Sequence, residues 1–205
     1  MCKKGMQQSP IDVTHGRKSD LSGILVNYKK VPLEILNNGH TIQVNIAEGS
    51  KIEVDRKEYD LLQFHFHSPS EHLVNGKAYD LVAHFVHKES DGSSLAVIGV
   101  LFEAGKANSA LKGVWKHLPK KAGTKHAVAE ISVDAAKILP SNRSYYHYFG
   151  SLATPPCSEG VKWMVLKDPV QISKAQLKTF RAIIDGNVRP VPVQPLHGRT
   201  IEAKK

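Results

Sequence analysis

At 205 residues the chain has the length of one ordinary domain and can bury a core of its own. Hydrophobic residues make up 41% and charged residues 23%, which excludes a disordered or collagen-like chain, and two cysteines cannot build a disulfide scaffold. The net charge of +9 is scattered singly and in pairs, with no zinc-finger spacing, basic heptads or interleaved aromatics, so nucleic acid is not the expected partner.

In chain order, six segments read as short strands: Val31–Leu36, Thr41–Ile46, Lys51–Val54, Leu61–Phe66, Leu81–His87 and Leu95–Phe102. Each is rich in β-formers or alternates apolar with polar residues. Asn38-Gly39, Asn75-Gly76 and Asp91-Gly92 are the turn dipeptides around them. Two helices follow. Asn108 caps Ser109–His117, with Pro119 as the stop, and Ser173 with Gln176 forms a capping box for Lys174–Ile184. Leu177, Phe180, Ile183 and Ile184 give that second helix one apolar stripe. No apolar run approaches the ~20 residues of a membrane span, and the start lacks the apolar stretch of a signal peptide. The expected fold class is a β-dominated α+β domain over 1–205.

Chemistry concentrates in the histidines, of which there are 11. His65 and His67 lie two apart in a strand and so share a face. His84 shares a face with Val86 in a second strand, while His87 takes the other. Adjacent strands can therefore present three imidazoles to one point, the donor set of a zinc ion with its fourth position open. Spacing alone leaves half-buried or surface histidines as an equal reading, and it identifies no reaction. No nucleophile elbow, phosphate loop, dinucleotide fingerprint or metalloprotease helix is present. Ser70-Glu71-His72 is too contiguous to be a catalytic triad, whose members meet in space.

Longer motifs are more specific. Cys2-Lys3-Lys4-Gly5, Gln8-Ser9-Pro10-Ile11-Asp12, Asn37-Asn38-Gly39-His40, Gln63-Phe64-His65-Phe66-His67-Ser68-Pro69-Ser70-Glu71-His72 and Ala83-His84-Phe85-Val86-His87 occur in order. They are followed by Gly150-Ser151-Leu152, Thr154-Pro155-Pro156-Cys157-Ser158-Glu159-Gly160-Val161-Lys162-Trp163 and Arg189-Pro190. Through them almost the whole chain resembles the α-class carbonic anhydrases, the bacterial secreted type in particular. The resemblance implies a large, mostly antiparallel twisted central sheet with short peripheral helices. It implies Zn2+ on His65, His67 and His84, with Gln63 holding the other ring nitrogen of His65. It casts His40 as a proton shuttle, Asn38 and Gln43 as residues ordering water beside it, and Glu71 as a buried acid behind the metal. Val86, Val97, Leu152, Val161 and Trp163 become the apolar wall for carbon dioxide, with Ala153 and Thr154 at the family's two threonine positions. Cys2 and Cys157 match a disulfide, against the alternative of two free thiols, and the bridge implies a periplasmic or exported setting.

Four departures accompany the resemblance. Ala153 lacks the first threonine's hydroxyl, and Val82 stands where a glutamate commonly orients the third ligand. The family's N-terminal aromatic segment has no counterpart, and Arg189–Leu196 carries two extra residues. The reading is therefore a zinc enzyme hydrating carbon dioxide to bicarbonate, slowed by Ala153. The alternative is a weak or inactive module on the same fold, its +9 surface docking a polyanion or protein partner. The sequence leaves monomer and homodimer both open.

Overall fold

The structure, a computed structural model, describes residues 5–184 and 191–205. Its first half contains β1 (Asp12–Val13), β2 (Arg17–Ser19), β3 (Leu25–Asn27), β4 (Val31–Asn37), β5 (Ile42–Asn45), β6 (Lys51–Val54), β7 (Lys57–His67) and β8 (Leu73–Val74). Next come β9 (Leu81–Glu89), β10 (Leu95–Ala104), helix α1 (Lys112–Lys116), β11 (Lys125–Val133) and a 3-10 turn at Ala135–Ile138. The chain continues through β12 (Tyr145–Ser151), β13 (Glu159–Leu166), β14 (Val170–Ile172), helix α2 (Lys174–Ile184) and β15 (Glu202–Lys204). Thirteen strands form one mixed sheet whose main path runs β11-β4-β5-β7-β9-β10-β13-β12-β15-β2. Most pairs are antiparallel; β10 pairs in parallel with β13 and β14, and β15 with β2. The expected fold class stands.

β9 and β10 lie at the middle of the path, and both faces are covered. Their sequences accordingly read as nearly continuous apolar runs rather than clean alternations. One face packs the larger core around Phe64, Phe66, Phe85 and Phe180. The other packs a smaller cluster around Val82, Val97, Tyr148, Val161 and Trp163.

β7 is longer than the predicted Leu61–Phe66, and its pairing with β9 shifts register between Leu61 and Gln63. In an unbroken strand Leu61, Gln63 and His65 would share a face. The bulge at Leu62, which is left exposed, changes the parity. Leu61, Phe64 and Phe66 all enter the larger core, and Gln63, His65 and His67 turn together to the opposite face. The β6–β7 turn is also unannounced, since Asp55 and Arg56 both take positive φ without a glycine. Ser22 Oγ donates to Asp55 Oδ1 at 2.6 Å and helps hold that turn.

Helix α2 matches its predicted span, and its capping box forms: Gln176 N donates to Ser173 Oγ and Ser173 N to Gln176 Oε1, both at 3.2 Å. The first helix is shorter than predicted. Asn108 Oδ1 does accept from Leu111 N at 3.3 Å, but regular helix covers only Lys112–Lys116. Asn108 is bonded across to Gln171 O and to the Gln176 side chain, and these tertiary ties accompany a turn rather than helix at the start. β11 through β15 lie outside the six predicted strands, although Tyr145–Ser151 is rich in aromatic β-formers and Glu159–Leu166 ends in an apolar run.

Candidate metal centre

His65 on β7 pairs directly with His84 on β9, and His67 pairs with Val82. The antiparallel register therefore carries three imidazoles to one place on one face. One ring nitrogen from each of His65, His67 and His84 lies within 4.8 Å of the others. Gln63 Oε1 accepts from His65 Nδ1 at 2.9 Å, which leaves Nε2 of that ring as its ligand atom. His84 Nε2 is sealed in the wall, so its Nδ1 is the nitrogen that can reach the cleft. Burial depresses all three imidazoles, His65 to about 4 and His67 and His84 well below their usual value. They are neutral at physiological pH, as metal ligands must be. Three neutral nitrogens at the floor of an open cleft fit a tetrahedral zinc ion that keeps one position for solvent or substrate.

The cleft above them has a volume of about 760 Å³. Val86, Val97, Leu152, Ala153 and Trp163 line it beside the metal position, with Thr154 and Pro155 near them in the same loop. Leu62, Leu95, Thr41 and Val191 also line it and were not singled out in the sequence; strand periodicity alone does not show that they share this opening. Val161 packs in the smaller core cluster with Val97 and Trp163, and it is not among the residues lining the cleft.

Asn38, His40 and Gln43 stand on the cleft's polar side. Asn38 Oδ1 accepts from His40 N at 2.9 Å and Thr41 N at 2.8 Å, so it is spent on fixing the turn under His40. Gln43 Nε2 donates to Asn45 Oδ1 at 2.8 Å, and Asn45 passes the bond to Glu34. The carbonyl of Gln43 and the second proton of its NH2 remain for water.

Glu71 is buried behind the ligands, its Oε2 3.6 Å from His67 Nε2 and 3.9 Å from His84 Nδ1. Burial pushes its carboxyl up to about 7, against the backbone N–H of Val191. Its Oε2 has no hydrogen-bond partner among the described residues. His84 Nε2 and His72 Nδ1 are likewise buried without partners among the described residues.

Cys2, Arg189 and Pro190 lie outside the described residues. Cys157 is buried, and Gln8 Nε2 donates to its carbonyl at 3.2 Å, so the N-terminal segment runs beside it.

A cleft floored by three neutral imidazoles on adjacent antiparallel strands, walled by apolar side chains, defines a sheet-borne site that can hold a metal ion and is open to a small molecule. Residues 1–205 match the family profile described as eukaryotic-type carbonic anhydrase, and the chain belongs to that family. It is 43% identical over 203 residues to a carbonic anhydrase of Neisseria gonorrhoeae, covering 98% of this chain and 79% of the relative. The α-carbonic anhydrase of Thermovibrio ammonificans, solved with the inhibitor sulfanilamide, superposes with a TM-score of 0.94 at 45% identity, covering 98% of this chain and 89% of that one. A dioscorin solved with ascorbate superposes at 0.90 with 31% identity, covering 100% and 88%.

Proposed function

We propose that the protein catalyses the zinc-dependent, reversible hydration of carbon dioxide to bicarbonate and a proton. The observation that carries this reading is the convergence of His65, His67 and His84 beneath an apolar wall. Zinc bound there supplies a Lewis acid and a nucleophile generated from water near neutral pH. Val86, Val97, Leu152 and Trp163 hold a small uncharged substrate by apolar contact and exclude competing water. His40, on a turn fixed by Asn38, relays the released proton between cleft and solvent, and Gln43 helps order the intervening water.

Ala153 slows this chemistry. Its methyl group offers no hydroxyl to aim the attacking oxygen and none to donate to Glu71 Oε2, in keeping with that atom's lack of a partner. Stopped-flow hydration measured beside zinc content tests the whole reading. One zinc per chain with a rate well above buffer is expected; one zinc with a buffer-like rate refutes it. Little zinc, with strong salt-sensitive retention on heparin, would instead favour a polyanion-docking module carried by the +9 surface.

The same reading includes a Cys2–Cys157 bridge and an exported or periplasmic setting. Support comes from the burial of Cys157 and from the N-terminal segment bonded beside it. Closing so long a loop contributes on the order of 4–5 kcal/mol in the chain-entropy account. Two thiols titrating in unreduced, denatured protein would refute the bridge.

A further inference from the structure

A line of hydrogen-bonded side chains runs from the cleft to the outer edge of the sheet. Gln43 on β5 lines the cleft and stands opposite His65 in the β5–β7 register. Its Nε2 lies 2.8 Å from Asn45 Oδ1, and Asn45 Nδ2 lies 2.6 Å from Glu34 Oε1 on β4. Lys125 Nζ, on the edge strand β11, lies 2.7 Å from the same carboxylate oxygen. Glu34 and Lys125 form the solvent end of the line, with 40% and 55% of their side chains exposed.

The end group gives this line a direction. Hydrogen bonds from Lys125 and then Asn45 hold the Glu34 carboxyl below the usual carboxylate range, so it is ionised and can only accept. Asn45 must therefore turn its NH2 toward Glu34, because the opposite orientation would set oxygen against oxygen. That leaves the Asn45 carbonyl for Gln43, which must donate in its turn. The carbonyl of Gln43 is then the acceptor this amide offers to water in the cleft. With a donor at position 34 both amides would turn over. Gln43 would spend its carbonyl on Asn45 and offer the cleft only N–H groups.

The difference matters to a proton in transit. A water that donates one O–H to the Gln43 carbonyl keeps its lone pairs for an incoming proton and its other O–H for the next acceptor. A water held by an N–H has a lone pair occupied instead.

We propose that Glu34 is a positioning residue: acting through Asn45, it sets the polarity of Gln43 and thereby orients the water that carries the released proton toward His40. The proposal rests on the hydration reading above, and it involves neither the zinc ligands nor the apolar wall.

Glu34→Lys replaces the terminal acceptor with a donor. Neutron diffraction from deuterated crystals of the zinc-loaded protein reads each amide directly. The parent is expected to place a Gln43 Nε2 deuteron toward Asn45, and the variant to place the Gln43 carbonyl there. Proton release follows the departure of bicarbonate, so in dilute buffer kcat should fall about three- to tenfold in the variant. The values of kcat/KM and zinc content should stay at those of the parent. Concentrated imidazole buffer, which takes the proton directly, should restore kcat. Adding Asn45→Asp to Glu34→Lys should also restore it, since a carboxylate at position 45 accepts both from position 34 and from Gln43. A mere change of surface charge predicts no such rescue. An unturned Gln43 amide in Glu34→Lys, an unchanged kcat, or a double variant as slow as the single one overturns the proposal. A parent with zinc bound and a buffer-like rate refutes the hydration reading itself, and the water path with it.

Discussion

Position 153 shows how much chemistry one hydroxyl carries. A hydrogen bond to a charged group contributes roughly 1.5–3 kcal/mol, of which water can restore a part. If the bond acts in the transition state, its loss slows the chemical step about tenfold to a hundredfold. Ala153→Thr is therefore expected to raise the hydration rate by about a decade or more at unchanged zinc stoichiometry. An unchanged rate with zinc fully bound would mean that the attacking oxygen is aimed by another group. Gln63 makes a complementary case, since its Oε1 fixes the ring of His65 at 2.9 Å. Gln63→Ala should weaken zinc about 10–100-fold in a competition titration, with the fold intact by circular dichroism.

The elements behave according to how local their causes are. Helix α2 could be read to the residue because its capping box, apolar stripe and length all lie within a dozen positions. Ser173→Ala should cost about 1 kcal/mol, lowering Tm by roughly 2–4 °C in a chain of this size. A Tm within half a degree of the parent would show that Gln176, bonded also to Asn108, holds the end by itself. The first helix is the contrary case. Asn108 has the side chain of a cap and makes the capping contact, yet its bonds to Gln171 and Gln176 belong to another part of the chain. The bulge at Leu62 is likewise invisible to periodicity, because Leu61-Leu62 reads as a plain apolar pair until β9 is laid beside it.

Across the molecule, the sheet buries several histidines in a neutral state, which ties stability to pH. His87, on the face away from the metal, accepts from the Tyr28 hydroxyl at Nε2 over 2.7 Å and donates from Nδ1 to Ala96 O at 3.3 Å. Burial lowers its pKa from the usual 6.5 to about 4, partly offset by backbone carbonyls. Between those values the unfolded chain binds the proton and the folded one does not. Stability is therefore complete above about pH 6.5, falls as the pH drops toward 4, and falls no further on this residue's account below that. The loss from a shift of this size is on the order of 3 kcal/mol. Urea midpoints of the metal-free protein should decline from pH 7 to 5, and less steeply in His87→Gln, which cannot charge. Equal slopes for the two proteins would place the acid sensitivity elsewhere.

What the sequence determined by itself were properties with a local period or a contiguous motif. Alternation put His65 with His67 and His84 with Val86. The run from Gln63 to His72 carried the family resemblance, and the Ser173–Gln176 pair set a helix start. What the tertiary structure decided were matters of partnership between distant segments. The bulge at Leu62 determines which face the imidazoles take. Asn38 holds its own turn, while His72 and His84 are brought ring against ring. The physical reason is the same in each case. A strand's side-chain direction is encoded every second residue, but the group it meets lies on another strand, and only the register between them names it.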